Sequence, residues 1–331
     1  MTRKKAVTLG VRIAVSAAML IVLVAQVPSF DVDELVPEWS AGTAAWLGVA
    51  AALTLGGIVL SAVRWQKVLQ ALEISARLPR LTSHYFAGQF VSNVLPTTIG
   101  GDVLRVSRLS RDTGESPGTF ASVVLERLTG WLVLPVITLA GFAVNPGLRH
   151  LGSATQVALL LAFATLALLV GVLAAVGSRR IGGRFATRAG WRRFAGAVHL
   201  GVHRLRSDPG AAANVLVAGF AYQLILVLAA VAAANALGVQ PAGLTALLAF
   251  LPAVLIAQVL PISMAGLGVR EGAFVLFLHP LGVSREDAIA LGLLLYLLNV
   301  AVSLLGAPAF AAGGRTRSVP DEAAAGPTVA A

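Results

Sequence analysis

The sequence contains no cysteine and little charge of either sign. Only 12% of its 331 residues are charged and 6% are aromatic, whereas 57% are hydrophobic. The absence of cysteine excludes disulfides, thiolate metal sites and a cysteine nucleophile. A soluble domain has about 25% charged residues, so the low charge and the mean hydropathy of +0.84 predict an integral membrane protein.

The charge that is present is mostly basic. Lysine and arginine number 25 against 15 aspartate and glutamate residues, which gives a net charge of +10. A basic excess can indicate nucleic-acid binding, but this chain has few aromatic residues and no evident soluble domain to carry a basic face. Membrane topology also concentrates lysine and arginine on the cytoplasmic side. We therefore expect no nucleic-acid partner.

Apolar runs predict an all-α polytopic protein with about six full transmembrane helices. A spanning helix needs about 17 to 25 apolar residues, and six runs have that length: 10–27, 43–63, 118–142, 154–176, 212–236 and 289–312. The first run follows Arg3-Lys4-Lys5, as in a signal peptide. Because no small-x-small cleavage site precedes Pro28, we expect an uncleaved first helix.

Two further apolar stretches, about 82–98 and 244–278, contain the same motif. Residues 93–105 align without a gap on residues 258–270, and a Val, a Leu, a Pro, a Gly and an Arg coincide. Proline ends a helix because it has no N–H, and glycine permits a tight turn after it. We therefore predict a re-entrant hairpin in each half, formed by Pro96, Gly100, Gly101, Pro261, Gly266 and Gly268. The alternative is that 82–98 and 244–260 are complete spans and the similarity is accidental.

Lysine and arginine predict the orientation, because they concentrate in cytoplasmic loops. Four stretches are basic, namely 1–9, 64–80, 105–116 and 178–210. By contrast, loop 28–42 has acids but no base, and loop 237–243 is uncharged. We therefore expect both termini in the cytoplasm and the protein in the cell membrane. Basic stretches flank the first hairpin on both sides, so it should enter from the cytoplasm and the second hairpin from the opposite face.

These features predict a 3+3 inverted repeat within one membrane domain of residues 1–312. The first repeat would cover about 10–143 and the second about 154–312. Residues 313–331 are rich in Ala, Gly and Pro and are expected to form a disordered cytoplasmic tail. Interrupted helices in matching positions of two inverted halves point to a transport site.

The basic loop 178–210 has eight arginines and a single acid, Asp208. It is expected to form an amphipathic segment on the inner leaflet, where anionic lipids attract basic residues. The alternative is that it only retains this loop in the cytoplasm. His199 and His203 have helical spacing, but no third ligand is nearby. We therefore expect no metal and no cofactor.

Ionisable residues inside a membrane are candidates for function because their burial is unfavourable. The candidates for substrate binding are Arg64, Asp102, Arg105, Glu126, Arg127, Arg270 and Glu271. A helix that restarts after each hairpin would present a partially positive N-terminus, which suits a phosphate. We predict that Arg105 and Arg270 bind phosphate and that Glu126 and Glu271 position them. The alternative is that these residues only neutralise one another at a helix break.

Glu126 and Arg127 are neighbours in a predicted span. Adjacent residues point about 100° apart on a helix, so each needs its own partner elsewhere. Our hypothesis pairs Glu126 with an arginine from one motif, while Arg127 faces the substrate path.

Three ordered motifs resemble the flippase-like membrane domain of the lysylphosphatidylglycerol synthases. They are Leu95-Pro96-x3-Gly100-Gly101-Asp102-x2-Arg105, Ser122-Val123-x2-Glu126-Arg127-x2-Gly130, and Leu260-Pro261-x4-Gly266-x-Gly268-x-Arg270-Glu271. Arg64-Trp65 also looks like that family, and the resemblance covers about residues 10–312. The second copy departs from the first at one acid, because Asp102 has Leu267 as its counterpart.

The resemblance implies a lipid translocase that moves a phosphate-bearing lipid or lipid-linked intermediate between leaflets. Its partners would be lipids with anionic or zwitterionic head groups. In two-domain members a soluble domain aminoacylates the lipid, and because no such segment follows residue 312 we expect no aminoacyl transfer. No enzyme motif of the zinc-protease, hydrolase or Walker type is present, so we expect no catalysis. The alternatives are an accessory subunit for a separate lipid-modifying enzyme and an integral membrane lipid transferase.

Overall fold

The computed structural model describes residues 17–18, 21, 39–94, 100–178, 192–239, 243–259 and 266–313. Eleven α-helices have defined bounds: α1 Ala41–Ala71, α2 Leu78–Val94, α3 Gly100–Thr113, α4 Ser116–Val144, α5 Ser153–Gly177, α6 Arg192–Ser207, α7 Pro209–Ala236, α8 Leu244–Gln258, α9 Val269–Leu278, α10 Arg285–Leu304 and α11 Ala307–Ala312. Short 3-10 helices lie at Pro146–His150 and His279–Leu281. No strand occurs in these described ranges.

Five of these helices, α1, α4, α5, α7 and α10, are long and apolar enough to cross a membrane. They coincide with five of the six predicted spans. The first predicted span, 10–27, falls almost wholly outside the described residues, as does the predicted tail 313–331 apart from Gly313. The all-α polytopic architecture predicted from hydropathy is thus confirmed.

The first described span is longer than predicted. Helix α1 has 31 residues, about 46 Å at 1.5 Å per residue, and it continues through Arg64 to Ala71. The helix thus extends eight residues beyond the span predicted at 43–63, and the connection to α2 is only 72–77. The hydropathy-based prediction ends the span before Arg64, because a hydropathy scale counts Arg64 as an isolated charge and takes no account of its ion pair with Glu126.

The predicted span 289–312 is interrupted, because α10 ends at Leu304 and α11 begins at Ala307. Gly306 lies between them against the Phe86 carbonyl of α2, and Pro308 removes a backbone donor at the start of the second piece. The end of α11 is held by Arg108, which donates to the carbonyl oxygens of Ala309 at 2.9 Å and Phe310 at 2.7 Å. Arg108 is thus a buried helix cap and not an exposed cytoplasmic charge.

Each repeated motif joins two shorter helices that pack against each other, α2 with α3 and α8 with α9. The prolines Pro96 and Pro261 lie in the segments 95–99 and 260–265, outside the described residues. Helices do restart within the motif, at Gly100 and at Val269. In the first pair, the α-carbon of Gly101 faces the Gly88 backbone so closely that a β-carbon would overlap it.

The helices of the two halves pack reciprocally. The most extensive contact is between α1 and α7, the long helices that precede each hairpin. The first arm of each hairpin also packs against the long helix that follows the other hairpin, α8 against α4 and α2 against α10. An inverted repeat would produce this reciprocity, although the repeat itself stays a prediction.

Helix α6 lies within the basic loop predicted at 178–210, whose residues 179–191 are outside the described part. Its valines 198 and 202 are buried in an apolar cluster with residues of α1, α4 and α7. Its cationic side chains cap the ends of spanning helices, since Arg204 donates to the Leu72 carbonyl at 2.6 Å and Arg206 to the Leu173 carbonyl at 3.1 Å. Cations are stabilising at helix C-termini. Helix α6 is therefore held on the protein both by its buried valines and by these arginine contacts.

Candidate functional site

Glu126 is the centre of a charged cluster that is buried between the helices. Its carboxylate oxygens accept hydrogen bonds from Arg64 Nη2 and from Arg105 Nη2, each at 2.5 Å. Tyr85 donates a third hydrogen bond at 3.1 Å. Glu126 is fully buried, and the side chains of Arg64 and Arg105 are only 6% and 4% exposed. The two arginines are therefore held by the protein's own carboxylate.

Asp102 links this centre to an exposed arginine. It accepts from Arg105 Nη1 at 3.4 Å and from Arg127 Nε at 2.5 Å. The side chain of Arg127 is 48% exposed, far more than those of the other two arginines. The predicted separation of partners is observed, since Glu126 pairs with Arg105 of the first motif and Arg127 points to a different carboxylate.

The cluster carries an excess of positive charge. Three guanidinium groups, those of Arg64, Arg105 and Arg127, face two carboxylates, those of Glu126 and Asp102, which leaves one net positive charge. The Nε atoms of Arg64 and Arg105 also have no hydrogen-bond partner among the described residues. Buried donors without acceptors are unfavourable, so the carboxylates do not satisfy all the donors of these two guanidinium groups.

Aromatic rings support the buried arginines. The guanidinium of Arg105 lies 3.9 Å from the ring centre of Tyr85 and 4.2 Å from that of Trp65. Arg64 lies 4.7 Å from the ring centre of Tyr222. Such cation–π contacts are stronger when the cation is removed from water. Gly130 leaves room for Arg64, because a β-carbon there would lie 2.5 Å from its Nη1.

The cluster lies deep in the predicted membrane. Glu126 is about ten residues after the start of α4, or about 15 Å along the helix axis. Helix α4 has 29 residues, or about 44 Å at 1.5 Å per residue, which is longer than a hydrocarbon core of about 30 Å. Glu126 therefore lies about a third of the way along this helix, between its two ends. Arg105 and Arg64 reach Glu126 from α3 and α1, so the three helices place their charges at the same depth.

The second motif builds a smaller and neutral pair. Arg270 Nη2 donates to Glu271 Oε1 at 2.6 Å, and the other oxygen of Glu271 accepts from the Gly268 N–H at 2.6 Å. Both residues are buried, and the Arg270 guanidinium lies 5.1 Å from the ring centre of Tyr296. Gly268 and Gly266 have positive φ, which only glycine adopts easily. The start of α9 is therefore already occupied by its own carboxylate.

The structure separates the predicted site residues into two groups. The first is the charged cluster of Arg64, Asp102, Arg105, Glu126 and Arg127. The second is the pair of Arg270 and Glu271. Sequence reasoning missed the aromatic partners. The chain has only three tyrosines, and Tyr85, Tyr222 and Tyr296 each lie beside a buried arginine. Tyrosine is rare in this apolar sequence, and this rarity is the one sequence feature that could have marked the three tyrosines as candidate partners of the arginines.

Neither His199 nor His203 belongs to a metal site in the described part of the chain, where no three potential ligands cluster. A ring nitrogen of His199 instead lies 2.6 Å from the Val176 carbonyl at the end of α5. This histidine has a structural partner.

Residues 8–306 match the model of a protein family described as the lysylphosphatidylglycerol synthase transmembrane region. The chain belongs to this family. The match covers most of the sequence and includes both hairpins and the charged cluster. The resemblance inferred from the three motifs is thereby confirmed.

A curated relative of this family member is the glycosyltransferase AglD of Haloferax volcanii. The two sequences are 27% identical over 345 residues, and the alignment covers 92% of this chain and 54% of the relative. The chain thus spans about half the length of the curated relative it matches. The family and the five long apolar helices identify a multi-pass, lipid-related membrane protein.

Proposed function

We propose that this protein moves a phosphate-bearing lipid or lipid-linked intermediate between the leaflets of the cell membrane. The observation that carries the proposal is the cluster of net positive charge between the spanning helices, with Arg127 as its exposed member. An uncompensated charge in hydrocarbon is strongly unfavourable. A lipid whose head group carries one negative charge would supply the missing compensation.

Arg127 is the proposed contact for the head-group phosphate. Only its Nε is engaged by Asp102, so its terminal nitrogens can form the two parallel hydrogen bonds that arginine makes with phosphate oxygens. Arg105 and Arg64 would not contact the phosphate. They would contribute positive charge near Arg127 and are themselves fixed by their ion pairs with Glu126. The predicted direct role of Arg105 in phosphate binding is thus replaced by a positioning role in this proposal.

The second hairpin would serve a different purpose. Arg270 is neutralised by Glu271, whose carboxylate also accepts a hydrogen bond from the Gly268 N–H. Both side chains are buried, with exposures of 9% for Arg270 and 0% for Glu271, so a phosphate would have to displace a carboxylate that water does not reach. We therefore assign head-group binding to the first hairpin, while the second hairpin supports the packing of α10.

The test is lipid exchange in liposomes that contain the purified protein. Fluorescent lipids are reduced by dithionite in the outer leaflet, and exchange shows as a loss of fluorescence beyond one half. We expect Arg127→Gln to lower the rate about tenfold or more, because a charge-assisted bidentate contact is lost. Arg127→Lys keeps the charge without the fork and should retain an intermediate rate. The lipid panel should include sugar-bearing lipid phosphates, since the Haloferax relative is named a glycosyltransferase.

The control is Arg193→Gln, which removes an exposed arginine of α6 outside the cluster. It should exchange lipids at the native rate. Equal rates in Arg127→Gln and in the native protein would refute the assignment of Arg127. A native protein that exchanges no phosphate-bearing lipid would refute translocation and favour the accessory-subunit alternative.

A further inference from the structure

A cleft of about 810 Å³ opens between the α1–α2 connection, the first turn of α2 and the last turns of α3. Ligand sites commonly have volumes of about 300 to 1,000 Å³. The cleft is lined by the charged residues Arg77, Arg80 and Asp112 and by the leucines 81 and 109. In the predicted topology these helix ends face the cytoplasm.

The charged lining is arranged around one carboxylate. Arg80 forms a two-point contact with Asp112, with Nη2 at 2.8 Å from Oδ1 and Nε at 2.7 Å from Oδ2. The Arg80 side chain is nevertheless 64% exposed, and Arg77 beside it is exposed as well. A ring nitrogen of His84 also lies 2.8 Å from Oδ2 of Asp112. Asp112 therefore holds the arginine fork in the geometry that also fits a phosphate.

The inner end of the cleft is close to the charged cluster. Leu109 follows Arg105 by one helical turn on α3, and Leu81 precedes Tyr85 by one turn on α2. Both leucines are almost fully buried and belong to one apolar cluster with Tyr85 and Trp65. Two leucine side chains therefore separate the cleft from the arginine that pairs with Glu126.

We propose that this cleft is a vestibule that binds a phosphate group on the cytoplasmic side. The inference rests on the proposed transport function, to which it adds the place where the head group first binds. Arg77 and Arg80 hold the phosphate, and Asp112 is displaced from Arg80 as the phosphate binds. The phosphate belongs either to a lipid head group or to a soluble anion, and both carry the same chemistry.

The test is isothermal titration of the purified full-length protein in nanodiscs of zwitterionic lipid. The probes are inorganic phosphate and a water-soluble short-chain phosphatidic acid. Arg77→Ala/Arg80→Ala should weaken binding of at least one probe about tenfold or more, because two charge-assisted contacts are lost. Each titration is repeated with Arg127→Gln, so that the contribution of the buried cluster is separated from that of the vestibule.

Asp112→Asn is the second variant, because it should increase binding. Misfolding can explain a loss of phosphate binding but not a gain. The substitution removes the carboxylate that competes for Arg80, so the affinity for phosphate should rise several-fold. Arg111→Ala is the matched control, because Arg111 is exposed on α3 next to Asp112 and does not line the cleft. It should bind both probes like the native protein.

Unchanged affinity in the double arginine variant, or no gain with Asp112→Asn, would overturn the vestibule. Tighter binding of phosphatidic acid than of inorganic phosphate assigns the site to a lipid, and equal affinities assign it to the free anion. Transport failure is distinguishable from vestibule failure. If no lipid is exchanged but the arginine and Asp112 variants change binding as expected, the translocase proposal fails and the phosphate site stands.

Discussion

Glu126 is the residue on which the buried cluster depends, because its single carboxylate pairs with two guanidinium groups. Glu126→Gln keeps the shape but removes the charge. It leaves Arg64 without its carboxylate partner and Arg105 with only the longer contact to Asp102, at 3.4 Å. Removing one partner of a buried ion pair destabilises a protein by about 3–5 kcal/mol. We expect a clearly lower melting temperature, measured by thermal unfolding in detergent.

The matched control for this prediction is Glu115→Gln, at the exposed start of the same helix. Its melting temperature should equal that of the native protein, since no buried charge loses its partner. Equal melting of the two variants would mean that Glu126 does not hold the cluster together.

The pairing within the site could be predicted only in part. Helix geometry alone shows that Glu126 and Arg127 point apart and need separate partners. Which arginine reaches Glu126 depends on where α1 and α3 lie in space, and the sequence spacing contains no such distance. Arg64 is the clearest example, because hydropathy assigns it to the cytoplasmic edge, whereas its pairing with Glu126 buries it.

The hairpin of α2 and α3 depends on an unusually close approach between two helices. Gly101→Ala would place a β-carbon against the backbone and the Ser92 hydroxyl of α2, and overpacking of this kind destabilises by about 1–3 kcal/mol. Because Arg105 follows one turn later, the variant should also lower lipid exchange. Thermal unfolding and the liposome assay measure the two effects.

Gly171→Ala is the corresponding control, because nothing lies within 4 Å of the added β-carbon on α5. Alanine favours a helix over glycine by about 0.5–1 kcal/mol, so stability should stay the same or rise slightly. Similar losses in the two variants would contradict the close approach of α2 and α3.

Long apolar helices are the elements that the sequence predicts best. The spans of α4, α5 and α7 agree with hydropathy to within a few residues, because each is long and predominantly apolar. The break between α10 and α11 could not be predicted, since it depends on the contact of Gly306 with α2 in the other half of the chain.

The orientation of the whole molecule can be tested with single cysteines, since the chain has none of its own. Ser75→Cys and Ser207→Cys lie at helix ends predicted to face the cytoplasm, and His150→Cys lies at the opposite end of α4. All three positions are exposed. A membrane-impermeant maleimide should label His150→Cys in intact cells and the other two only in inside-out vesicles. Labelling of Ser75→Cys and His150→Cys from the same side would refute the topology.

Membrane voltage acts on charge, and the buried cluster carries one excess positive charge. A unit charge that crosses the full potential changes in energy by about 2.3 kcal/mol per 100 mV. In the proposed function, a lipid phosphate with one negative charge cancels the excess, so the potential exerts no net force on the occupied site. The empty site keeps its charge, and an inside-negative potential draws it toward the cytoplasm. Voltage would then act on the site before the lipid binds and not on the occupied site.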